Sequence, residues 1–228
     1  MIGPQPAERL YSDDDAWPLV TSWAQQRHAR ILPGDPTGCA DTLTALQTPT
    51  QTVLGALAGH CGGIVADGGW LRLLGGGQTA TDTTAGLPSL AEINAIGGTG
   101  STPVTPGAMV VAYDVLGGLF AVNAGGLPCA AGDIAYFGPD TLEWVGLDAG
   151  YAAFVEWALA VGLDDFAAEL RWTGWQQEVA ELPLDAGITA YPPPWSYEGR
   201  DLKRARRAAA PIAQIWASQA TAARDLAR

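Results

Sequence analysis

Residues 108–145 read AMVVAYDVLGGLFAVNAGGLPCAAGDIAYFGPDTLEWV, a stretch in which short apolar runs alternate with turn chemistry. Four strands are predicted, at Ala108–Tyr113, Leu119–Asn123, Asp133–Phe137 and Leu142–Val145. Gly117-Gly118, Gly125-Gly126 and Pro139-Asp140 mark the turns between them, the pattern of an antiparallel meander.

Working outward toward the amino terminus, Val53-Leu54, Gly62–Val65 and Trp70–Leu74 read as further strands, with Asp67-Gly68-Gly69 as a hairpin turn. The glycine- and threonine-rich segment 75–84 is expected to be an exposed loop, and 97–107 another. Helices are predicted around this sheet. One runs from about Asp15 to His28, behind the cap oxygens of Ser12–Asp15, and a second opens at Asp35-Pro36 and continues through Leu43 and Leu46. Leu87–Asn94 forms a short helix with Ser89 as its cap. Tyr151–Val161, Asp164–Leu170, Gly174–Leu182 and Pro211–Leu226 complete the set, with the prolines 192–194 outside any helix. The reading is α+β, a central antiparallel sheet flanked by helices in one domain over 1–228, with a basic connector at about 200–207 and a C-terminal helix at about 211–226.

Composition narrows the function classes. With 48% apolar and 16% charged residues the chain has the material for a core and too little charge for a disordered protein. No basic and apolar leader opens the sequence and no apolar run is long enough for a membrane span, so a soluble cytoplasmic protein is expected. Cys39, Cys61 and Cys129 are odd in number and lack a C-x-x-C pair, which points away from disulfides and thiolate zinc sites. The net charge of −12 is unevenly spread. Residues 1–199 carry five Arg against 22 carboxylates, −17, whereas 200–228 carry seven bases and two acids, +5. An acidic body repels phosphate backbones and attracts cationic proteins, so nucleic acid is not expected as its partner.

Catalytic motifs are incomplete. His28 and His60 are the only imidazoles, Gly75-Gly76-Gly77 lacks a phosphate-loop lysine, and G-x-S-x-G and H-E-x-x-H are missing, so neither metal nor cofactor is expected. His60 and Cys61 are adjacent, but strand neighbours point to opposite faces and would not form a dyad. Asp67, Asp114, Asp133, Asp140 and Glu143 lie near strand ends, where an acid/base pair is conceivable and where turn formation or exposure equally explains them. Of the nine tryptophans, Trp17, Trp23, Trp157 and Trp216 follow helical patterns and are assigned to the core; Trp172, Trp175 and Trp195 lie in turn-rich contexts, where packing of loops onto the core is the expected role and an exposed one beside the proline run would mark a docking surface. Arg200, Lys203, Arg204, Arg206 and Arg207 read as a solvated segment that pairs with the acidic body.

The segments Ala16–Trp23, Gly62–Gly77, Asp114–Gly126, Tyr136–Leu159, Leu170–Val179 and Tyr191–Gly199 resemble a bacterial family known as a domain of unknown function, itself similar to the SUKH superfamily of toxin-immunity proteins. The SUKH likeness rests on the strand ending at Asn123–Gly126, the strands through Phe137 and Trp144, and the helix from Tyr151 to Leu159. It implies helices around an antiparallel sheet, and it brings no catalytic residue. The function expected is a non-catalytic protein-binding module, such as an immunity protein that masks a cationic toxin. The alternative is a small-molecule binder or hydrolase with a pocket on the sheet. Candidate binding residues are Asp67, Trp70, Arg72, Asp114, Asp140, Glu143 and Trp195.

Overall fold

The computed structural model describes residues 3–81, 85–96 and 106–226. Seven strands form one antiparallel sheet in chain order: β1 (Arg30–Leu32), β2 (Gly63–Ala66), β3 (Leu71–Leu74), β4 (Ala108–Asp114), β5 (Leu119–Asn123), β6 (Asp133–Phe137) and β7 (Trp144–Gly150). A separate antiparallel ribbon pairs β8 (Ala186–Tyr191) with β9 (Arg206–Pro211). The helices are α1 (Trp17–Gln26), α2 (Pro36–Leu46), α3 (Val53–His60), α4 (Leu90–Ile93), α5 (Tyr151–Glu156), α6 (Trp175–Ala180) and α7 (Ile212–Leu226). The predicted α+β class and the central meander are therefore present, with turns where Gly117-Gly118 and Pro139-Asp140 lie.

Two helical predictions carry their caps as expected. The Asp35 carboxylate accepts from the Thr37 and Gly38 amides at the start of α2, and Ser89 with Glu92 forms a reciprocal capping box on α4. Directly opposed residues share a sheet face. The row Arg30, Val65, Arg72, Tyr113, Leu119, Phe137, Trp144 lies on one face. The C-terminal layer covers its middle: the Tyr113 hydroxyl donates to the Leu184 carbonyl at 3.0 Å, and Trp216 of α7 meets the Tyr113 ring edge-on at 5.2 Å. On the other face Phe120 packs on Phe154 of α5 at 4.9 Å, and α5 in turn touches α1 and α3. Trp23 and Phe154 are buried, as their helical phase predicts, while Trp17 and Trp157 are only half-buried.

Several expectations are corrected. Val53-Leu54 opens α3 and is not a strand; the Thr52 hydroxyl caps it by accepting from the Gly55 amide at 3.0 Å. The glycines that suggested strand punctuation serve close helix packing, since a Cβ at Gly59 would stand 2.8 Å from Leu43 Cδ1. Gly75, Gly76 and Gly77 are buried and not an exposed loop. The Gly76 amide donates to the Cys61 carbonyl, and a Cβ on Gly76 would come within 2.6 Å of the Ala58 carbonyl oxygen. The segment from Asp164 forms turns and a 3-10 turn at Ala168–Leu170, and the helix after Tyr151 ends in a π-helical turn, Trp157–Val161. The strand expected at Leu142–Val145 begins at Trp144 and runs on to Gly150. β1, β8 and β9 were not anticipated, and Arg206 and Arg207 belong to β9 and not to a connector. The expected loop at 97–107 lies mostly outside the described residues.

Candidate functional site

The turn between β2 and β3 brings together the first group of expected binding residues. Asp67 adopts φ 53, which turns its carboxylate inward onto Arg171, in a pair whose side chains are only 6% and 9% exposed. Trp70, 1% exposed, stands beside Trp175 at 5.2 Å and Trp172 at 5.9 Å. The Arg171 guanidinium lies over Trp175 at 4.2 Å and Trp70 at 5.1 Å, and its Nη1 donates to Asp164 at 3.1 Å. Burial, with Arg27 adding to it, lowers the Arg171 pKa to about 10, so the side chain stays charged at neutral pH.

The same stack continues outward. Trp172 donates its indole N–H to Glu178 at 2.8 Å, Glu178 receives two bonds from Arg207, and the Arg207 guanidinium lies over Trp172 at 4.5 Å. The bonds from Arg207 are the main cause holding the Glu178 carboxyl below its ordinary value. Three tryptophans and two arginines thus interleave, each cation resting on an indole face and bonded to a carboxylate. Of the three tryptophans in turn-rich contexts, Trp172 and Trp175 are buried and Trp195 is half-buried, in keeping with loops packed onto the core. Sequence reasoning missed Arg171 and Glu178; it paired Arg207 with the acidic body without identifying Glu178 as the partner. The only local signal was the R-W-T-G-W spacing of 171–175.

Arg72, on β3, is 2% exposed although it is charged. It lines a cavity of about 370 Å³ with His28, Arg30, Gly68, Gly69 and Leu184. Its Nη1 donates to the Gly69 carbonyl at 3.0 Å, its guanidinium lies 5.9 Å from the Tyr113 ring, and its buried Nε–H has no hydrogen-bond partner among the described residues. Burial lowers its pKa.

Asp114 is fully enclosed at the β4–β5 turn. Oδ1 accepts from the Leu116 amide at 2.8 Å and the Gly118 amide at 2.9 Å, and Oδ2 accepts from the Tyr136 hydroxyl at 2.7 Å. Burial nevertheless raises its pKa, against the pull of those three bonds. The turn-forming explanation accounts for the bonds of Asp114, and among the described residues no second carboxylate bonds it.

Asp140 and Glu143 lie at the opposite end of the sheet and are exposed, on the turn that leads into β7. β7 is paired on one side only among the described residues. Val145 on it is 56% exposed, and Asp148 is exposed with φ 50. Trp195 is elsewhere again, half-buried and lining a small cleft with Leu116, Ile188 and Ile215, while its neighbours Tyr191 and Tyr197 are 74% and 84% exposed. The seven candidate residues therefore fall into separate places: the β2–β3 end, the β4–β5 turn, the β7 edge and the C-terminal layer.

Elsewhere, His60 ends α3 and pairs through Nε2 with Asp15 at 2.6 Å, sandwiched by Trp17 and Tyr11. His60 and Cys61 thus lie at the end of a helix and not on the strand expected, and each side chain has a different partner. Cys61 donates to the Leu57 carbonyl, and burial pushes its thiol up to about 12. A larger cavity of about 660 Å³ lies between the starts of α2 and α4, walled by buried glycines and by Asp35, Asp41, Glu92 and Asp185. Among the described residues no cluster of three or more His, Cys, Asp or Glu is placed to hold a metal ion, and no helix is long and apolar enough to cross a membrane.

Comparison with known proteins gives the relatives of this arrangement. The chain is 33% identical over 200 residues to the putative uncharacterized protein YbfG of Escherichia coli, covering 84% of this chain and 87% of that protein. It is 32% identical over 182 residues to an uncharacterized protein of Haemophilus influenzae, covering 78% and 77%. No solved structure matches. The family model described as "Protein of unknown function DUF2625" matches residues 7–215, and the chain belongs to that family.

Proposed function

We propose that this protein is a non-catalytic binding module that docks a cationic protein along the outer edge of β7. The observation that carries this reading is the open edge itself. Among the described residues the outer side of the seven-residue strand Trp144–Gly150 pairs with no other strand, beside exposed Val145 and with the carboxylates of Asp140, Glu143 and Asp148 along it. Open edges invite strand addition, and edge charges select who adds. Acidic groups repel a second copy of this edge and steer a basic partner toward it. The acidic balance of residues 1–199 extends that field over the body. Similarity to the SUKH proteins supports a toxin as that partner, and the cytoplasm as the place where it would be met.

The test uses the full chain and a Glu143→Lys/Asp148→Lys variant, both confirmed folded by circular dichroism. A basic protein encoded beside the gene should associate with the wild type at a rate that falls as salt rises, and the double variant should lose most of that salt dependence. Equal association rates for the two proteins, or a rate indifferent to salt, would sink the reading.

A further inference from the structure

The cavity at the β1–β3 end of the sheet gathers bases in a chain that has few. Residues 1–199 hold five arginines and two histidines against 22 carboxylates, yet Arg30, Arg72 and His28 all line this one space. No carboxylate lines it among the described residues. Asp67 is held by Arg171, and Asp114, whose charge acts on Arg72 from a distance, is bonded by Tyr136 and two backbone amides.

Arg72 is the unusual member. Fully buried arginines are almost always paired, because an uncompensated charge away from water is costly. Arg72 forms no ion pair among the described residues, and the compensation around it is one carbonyl, the face of Tyr113 and the more distant charge of Asp114. That carbonyl takes Nη1 and the Nε–H is sealed from solvent, so Nη2 is the donor left to the cavity, where it can meet an oxyanion in a charge-assisted bond. The register places Arg30 and Arg72 on the same sheet face, with only Val65 between them.

We infer that this cavity binds a small molecule bearing an oxyanion, a phosphate ester or a carboxylate, which Arg72 meets through Nη2 while Arg30 and His28 supply outer positive charge. The apolar part of the ligand rests on Val179, Leu182 and Leu184, which close the other wall. A volume of about 370 Å³ fits a metabolite and not a macromolecule. The inference does not rest on the β7 docking surface, which lies at the far end of the sheet.

The experiment titrates the full chain with inorganic phosphate and, separately, with succinate, against sodium chloride at matched ionic strength. The readouts are calorimetry and the ¹⁵N resonance of Arg72 Nε. One of the two oxyanions is expected to bind saturably and to move that resonance, and which one does so assigns the ligand class. Arg30→Gln, at the exposed rim, should weaken binding by roughly threefold to tenfold, and Arg72→Gln should abolish it. If Arg72→Gln fails to fold, the Arg30→Gln affinity and the wild-type Nε shift decide alone. Responses no larger than those to chloride, an Nε resonance that stays in place, or undiminished binding by Arg30→Gln would each overturn the inference.

Discussion

At the β1–β3 end of the sheet the charged side chains are inside, and at the β7 end they are outside. Asp67, Arg72 and Arg171 are each no more than 9% exposed, and two of them depend on one another. Asp140, Glu143 and Asp148 are exposed and their removal leaves nothing buried unpaired. The difference separates two uses of charge. Inside, a charge fixes geometry and is expensive to orphan; outside, it contributes little to stability and shapes what approaches.

The sharpest way to break this comparison is to remove one partner at each end. Asp67→Ala should destabilise the protein by about 3 kcal/mol, because Arg171 is then left buried with only Asp164 in reach. Urea unfolding at constant slope would measure it as a lowered midpoint. A cost below about 0.5 kcal/mol, the norm for a surface site, would mean that the pair is not enclosed as described. Phe154→Ala sets the scale on the opposite sheet face, where the stack with Phe120 should make the loss about 3 to 5 kcal/mol.

A smaller effect sharpens the comparison through pH. The folded Glu178 carboxyl titrates below its ordinary value of 4.5, chiefly through its bonds from Arg207. Its contribution is therefore fully present above about that ordinary value and is lost as pH falls through the lower folded one. Glu178→Gln should flatten the acid limb of the stability curve while leaving the β7 end unaffected. An unchanged acid limb would remove Glu178 from the account. The smallest effect is expected at the open end, where Asp140→Ala should change stability by less than about 0.5 kcal/mol in the same urea assay.

The sequence made the meander legible because glycine pairs and Pro139-Asp140 punctuate apolar runs at strand spacing. It misled at α3, where Gly55 and Gly59 look like the same punctuation but lie within a helix pressed against its neighbours. β9 was hidden for a different reason: Arg-Arg-Ala-Ala-Ala-Pro has helical propensity, and only pairing with β8 makes it extended. The candidate site was legible residue by residue and not as an assembly. Arg72 stands out as a charge within an apolar strand, but Asp67 and Arg171 are 104 positions apart, and no local pattern joins them. The row Arg30–Val65–Arg72 was equally invisible, because β1 is three residues long and carries no strand signature.

The crowded glycine junction around Gly76 has a kinetic side. Cys39 and Cys61 sit in that junction 3% and 0% exposed, with no room for an added group, whereas Cys129 is half-exposed in the loop before β6. A thiol reagent should therefore modify Cys129 quickly and reach the other two only when α2, α3 and the glycine loop separate. The two sealed thiols act as a built-in clock for large-scale opening, with the third as its internal reference.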